Sequence, residues 1–97
     1  MRPSEVLDKN RQAVREATKR FNAANPRVFG SVARGEDRPG SDIDILVDPL
    51  PDTTLFDLSG LLEELERMMK PTPIHLLLPG DFPEDVRNRV LSEARPV

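Results

Sequence analysis

At 97 residues, with 37% apolar residues and no cysteine, the chain reads as a single domain, 1–97, with one modest core. The cysteine count excludes disulfides, thiolate zinc sites and cysteine nucleophiles. A net charge of −3, from 14 basic and 17 acidic residues, excludes a broad basic face for DNA or RNA but leaves room for a small anion site.

In chain order, the first expectation is a helix over residues 3–23, where Val6, Leu7, Val14, Ala17 and Phe21 recur at helical spacing until Asn25-Pro26 stops it. A short strand over 27–30 and a single helical turn from Ser31 to Gly35 follow. Residues 42–48 alternate Asp, Ile, Asp, Ile, Leu, Val, Asp, which predicts a strand with Ile43, Ile45 and Val47 on one face. Leu58, Leu61, Leu62, Leu65, Met68 and Met69 mark a helix over about 54–69, with Gly60 as a weak point. A third strand over 72–78 and a last helix capped by Asp81, with Val86, Val90, Leu91 and Ala94 on its buried side, complete the order. The expected fold class is α/β (α+β), a small mixed sheet of about three strands flanked by helices. No apolar run approaches a membrane span, no signal-peptide core opens the chain, and Tyr and Trp are absent, so no aromatic platform stacks single-stranded bases. The expectation is a cytoplasmic protein with no membrane association and no strong direct nucleic-acid binding.

The chemistry concentrates in "VFGSVARGEDRPGSDIDILVD", residues 28–48. Alternate strand residues share a face, so Asp42 and Asp44 stand side by side with Cα atoms about 6.6 Å apart. Paired anions call for a cation between them, and hard oxygen donors suit Mg²⁺ or Mn²⁺, whose shells are completed by phosphates and water. Asp48 lies about 13 Å from Asp44 and reads as a strand-end residue. Gly30 permits a close backbone approach, Ser31 offers a hydroxyl and N–H groups to an anion, and Gly35 gives a second bend around a ligand. A lone Gly-Ser turn or a lone Asp-x-Asp is usually unremarkable. Gly30, Ser31, Gly35, Ser41, Asp42 and Asp44 at these offsets arise by chance at on the order of one starting position in 10⁷.

This segment resembles the Gly-Ser…Gly…Ser-Asp-x-Asp signature of the DNA polymerase β-like nucleotidyltransferases, and the short chain is similar to their minimal nucleotidyltransferase branch. The resemblance covers almost the whole chain, ending in the "PEDVRNRVLSEA" helix. It implies an antitoxin that transfers AMP from ATP to a tyrosine hydroxyl of a HEPN-family ribonuclease toxin. It further implies that Gly30 and Ser31 hold the triphosphate, that Asp42 and Asp44 bind Mg²⁺ (or Mn²⁺), and that Arg34 touches phosphate. The plainer reading of Arg34 is a solvated surface arginine.

The family usually places a third carboxylate on the next strand; here "PIHLLLP" puts His75 at that place. Three readings stand: an active substitute, a relic in a catalytically silent antitoxin that works by complex formation, or a strand residue out of alignment. An imidazole accepts a proton and ligates metals, but favours Mn²⁺ or Zn²⁺ over Mg²⁺.

Overall fold

A computed structural model describes all residues, Met1–Val97. The elements run α1 (Pro3–Arg20), β1 (Ala23–Phe29), α2 (Gly30–Arg34), β2 (Ile43–Pro49), α3 (Leu55–Met69), β3 (Ile74–Leu77), a 3₁₀ turn (Pro79–Asp81), α4 (Glu84–Glu93) and β4 (Arg95–Pro96). They form a small α+β structure around a four-stranded mixed sheet in the order β3-β2-β1-β4. β2 and β3 are parallel, joined by the α3 crossover, and the other pairs are antiparallel.

The expected three strands become four because Arg95–Pro96 pairs with Val28 and Arg27 of β1. Two residues are too few to carry an alternation in the sequence. The first helix also ends earlier than its apolar spacing implies. Asn22 turns left-handed (φ 57°), a conformation asparagine tolerates, and β1 opens at Ala23. Asn25-Pro26 therefore lies inside a strand rather than at a helix end. A second left-handed residue, Asn25 (φ 55°), and a register shift between Ala24 and Arg27 accommodate the proline, which has no N–H for the ladder.

One face of the sheet is dry. Ile43, Ile45 and Val47 are fully buried against Leu7, Val14 and Ala17 of α1 and Leu61, Leu65 and Met69 of α3. Gly60 belongs to this packing: a Cβ there would stand 2.6 Å from Cε1 of Phe21, so the missing side chain lets α1 and α3 close. α3 starts on a reciprocal cap, Thr54 with Asp57.

The last helix departs from expectation. Asp81 caps the 3₁₀ turn, accepting from the Leu78 N–H at 2.8 Å, and α4 begins at Glu84 without a side-chain cap. None of its residues is buried, and Leu91 is 42% exposed. The physical reason is its place: α4 packs on α2 and the 3₁₀ turn rather than on the main core.

Candidate active site

The other face of the sheet is half open and carries the polar residues of β2. Across the ladder, Asp44 stands between Phe29 of β1 and His75 of β3, so all three share a face and a row. Leu46, one step further along β2, is fully buried on this same face, and Phe29 meets Phe82 edge-on at 5.9 Å. This small apolar patch anchors the floor beside the carboxylates.

The parallel register sets His75 of β3 directly beside Asp44. Its Nδ1 lies 3.1 Å from Asp44 Oδ1 and its Nε2 3.4 Å from Asp42 Oδ2. The imidazole thus spans both carboxylates, hydrogen-bonded to Asp44 and close to Asp42, and the cluster is open to solvent, with side chains 42%, 24% and 57% exposed for Asp42, Asp44 and His75. With both ring nitrogens turned onto the aspartates, no three ligands converge on one point. Asp42 and Asp44 remain as two adjacent oxygen donors. That donor set fits a Mg²⁺-type cation whose other ligands are phosphates and water.

Gly30 follows directly from β1 and opens α2 in a left-handed conformation (φ 71°). A Cβ there would overlap Asp44 Oδ2, so the turn and the carboxylate are pressed together in a way only glycine allows. The Ser31 side chain makes no hydrogen bond to protein, which leaves its hydroxyl available. Gly35 caps α2 in a left-handed conformation (φ 73°) that glycine favours, with no protein atom within 4 Å of its Cβ position. Ser41 lies apart from the cluster's contacts: its Oγ accepts from the Arg38 N–H at 3.1 Å and closes the loop before Asp42. Arg34 is engaged twice, by Glu36 and, through Nη1, by Glu93 at 2.7 Å. The hydrogen bond to Glu36 and the two carboxylate charges raise its pKa further.

Two residues outside the signature shape the site. Glu93, at the end of α4, also accepts from the Gly30 N–H at 2.8 Å, so one carboxylate ties the turn and Arg34 to the last helix. Asp37 has no exposed side-chain surface; it accepts from the Ser4 N–H and from Arg2 Nη2, each at 2.8 Å. These bonds pin the loop that leads into Asp42 to the start of α1. Burial alone would raise the Asp37 carboxyl, but the bonds from Ser4 and Arg2 outweigh it and hold the group below the ordinary aspartate value. Neither residue carries a local sequence signal; their partners lie 63 and 33 residues away. Asp48 is the strand-end residue expected, paired with Arg27 at 3.0 Å.

The chain has family counterparts. The nucleotidyltransferase domain model matches residues 7–97. The chain belongs to the nucleotidyltransferase domain family. A protein of Methanocaldococcus jannaschii described as a "putative protein adenylyltransferase" is 37% identical over 67 residues, covering 69% of this chain and 71% of that protein. A solved structure described as a "putative minimal nucleotidyltransferase" superposes with a TM-score of 0.86 at 37% identity, over 97% of this chain and 95% of that one. A toxin–antitoxin structure with AMP-PNP shares the fold, at a TM-score of 0.73 and 17% identity over 90% of this chain and 71% of that one. No helix of the chain is long and apolar enough to cross a membrane.

Proposed function

We propose that this nucleotidyltransferase moves AMP from ATP to a hydroxyl of a toxin partner, a HEPN-family ribonuclease, and so acts as its antitoxin. The observation that carries the reading is the close approach of Gly30 to Asp44 Oδ2, which puts the Gly-Ser turn beside the Asp42–Asp44 pair. Family membership and the adenylyltransferase description of the M. jannaschii relative support it.

In this reading Asp42 and Asp44 would hold Mg²⁺ (or Mn²⁺), which would supply charge neutralisation to the triphosphate. Ser31, with its free hydroxyl, and the Gly30 turn position the triphosphate. The acceptor oxygen bonds to the α-phosphorus as the bond to the β-phosphate oxygen breaks. The hydroxyl proton passes to a ring nitrogen of His75, freed from its carboxylate as the acceptor enters. Glu93 keeps Arg34 and the turn in place.

The His75 bridge favours a second reading, in which the pair is silent and neutralisation works by complex formation alone. Labelled ATP with Mg²⁺ or Mn²⁺ and the co-expressed toxin separates the two. The expected result is label on the toxin, lost with Asp42→Asn plus Asp44→Asn. An unlabelled toxin that the double variant still neutralises overturns transfer and leaves the complex.

A further inference from the structure

Away from the carboxylates, α3 and β3 leave a groove of about 270 Å³, lined by Leu55, Leu58, Ser59, Leu62, Leu76 and Leu78 with Asp81 at one end. Beside it the first turn of α3 presents two large apolar side chains to solvent, Leu55 at 81% and Phe56 at 90% exposure. Scattered surface apolar residues need no explanation, but an almost fully exposed Leu-Phe pair joined to an apolar groove marks an interaction surface.

The size and shape narrow the occupant. At about 270 Å³ the groove lies at the small end of ligand sites, which run roughly 300–1,000 Å³. It follows α3 from Leu55 to Leu62, about two helical turns, which suits side chains spaced i, i+3/i+4, i+7 on a facing helix. Strand addition to β3 is disfavoured, because this edge strand has four residues and is bracketed by Pro73 and Pro79.

Charge narrows it further. From Pro39 to Glu66 the chain has eight acidic residues and no Lys or Arg, and from Pro71 to Val86 it has Asp81, Glu84 and Asp85 and again no Lys or Arg. Both walls of the groove come from these stretches, and Arg87, the next cation in the chain, is turned onto the Pro79 and Phe82 carbonyls. Glu66, one turn beyond Leu62 on the same helix face, is exposed, and Asp81 lies in the lining. Arg67, the next cation along α3, is already engaged by Glu64. A second copy of this chain would bring acidic rim to acidic rim, which costs association energy.

We propose that the α3–β3 groove docks an amphipathic helix of the partner protein whose apolar stripe is flanked by Lys and Arg. The proposal rests on the reading that the partner is a protein, and holds whether that partner is modified or only bound. β3 carries both Leu76 in the groove and His75 in the active site, on opposite faces, so a partner seated here is held at the edge of the carboxylate cluster.

The test uses the full chain and two synthetic helical peptides with identical leucine stripes, one flanked by lysines and one by glutamates, read by fluorescence anisotropy. The lysine peptide is expected to bind at least about tenfold more tightly, with an advantage that shrinks as salt rises. Leu55→Ser with Phe56→Ser, and Phe56→Ser alone, weaken that binding by about tenfold and severalfold respectively with an unchanged melting curve, while Leu91→Ser does not. Equal binding of the two peptides, or binding indifferent to Phe56, overturns the proposal. So does a dimer in sedimentation that Phe56→Ser dissolves, since the occupant is then a second copy. Asp42→Asn with Asp44→Asn separates this from the transfer reading: docking persists in that variant, and docking without transfer in the wild type counts against catalysis alone.

Discussion

The two faces of β2 use the same seven residues for opposite ends. Ile43, Ile45 and Val47 point into a water-free core closed by α1 and α3, while Asp44 and Asp48 point to a half-open face held by the Phe29–Phe82 contact and the short α2. The dry face supplies the free energy of folding through apolar area. The wet face gathers like charges that a stable fold has no use for, with Arg27 paired to Asp48 and His75 set beside Asp44. Stability and chemistry are thus separated by one residue of register, and substitutions on alternate positions should report on one property and spare the other.

Asp42→Asn with Asp44→Asn is the strongest break of that comparison. Transfer should fall by on the order of 10³-fold, as removal of both cation ligands forfeits several kcal/mol of transition-state stabilisation. The melting temperature should hold or rise slightly, because the pair repels. Parallel denaturation and label-transfer assays decide it; a large loss of stability would mean that the carboxylates are structural. Ile45→Ala, the neighbour on the dry face, should do the reverse. Its side chain is fully buried, so about 2–5 kcal/mol is lost in urea unfolding, with little change in transfer per folded molecule.

Gly30→Ala joins the two regions. The new methyl group overlaps Asp44 Oδ2 in a backbone conformation that alanine resists, so unfolding should show about 1–2 kcal/mol of lost stability. Nucleotide binding should weaken beyond what that loss explains, because the turn or Asp44 must move. Unchanged binding would separate the turn from the nucleotide.

What could be read in advance follows the range of the interactions. The alternation of β2 is a local pattern and the strand stands as read, whereas the meeting of Asp44 with His75 depends on the parallel register of β2 and β3, which neither strand's own alternation sets. The apolar spacing of Val86, Val90, Leu91 and Ala94 is equally helical, yet it buries nothing fully, since periodicity identifies a helix and not what it packs against. Asn22 ends α1 through a backbone conformation that the spacing of Ala17 and Phe21 masks. Glu93 was unreadable for a different reason: its role exists only because β4 returns the end of the chain to the edge of β1.

Asp37 gives the most specific effect, because it supports the wet face from a buried position. Its carboxyl is held below the ordinary value of 3.8 in the folded chain, so the unfolded chain binds the proton more readily. The sign follows: its contribution is complete above the unfolded pKa and drains away as pH falls from about 4 through the lower folded value. Urea unfolding between pH 3 and 6 should therefore show stability rising with pH, and Asp37→Asn should flatten that slope while costing about 1–3 kcal/mol at neutral pH. The same variant frees the loop that leads into Asp42, so a loss of transfer larger than the loss of stability is expected as well. Equal losses would confine Asp37 to folding and leave the position of Asp42 to β2 alone.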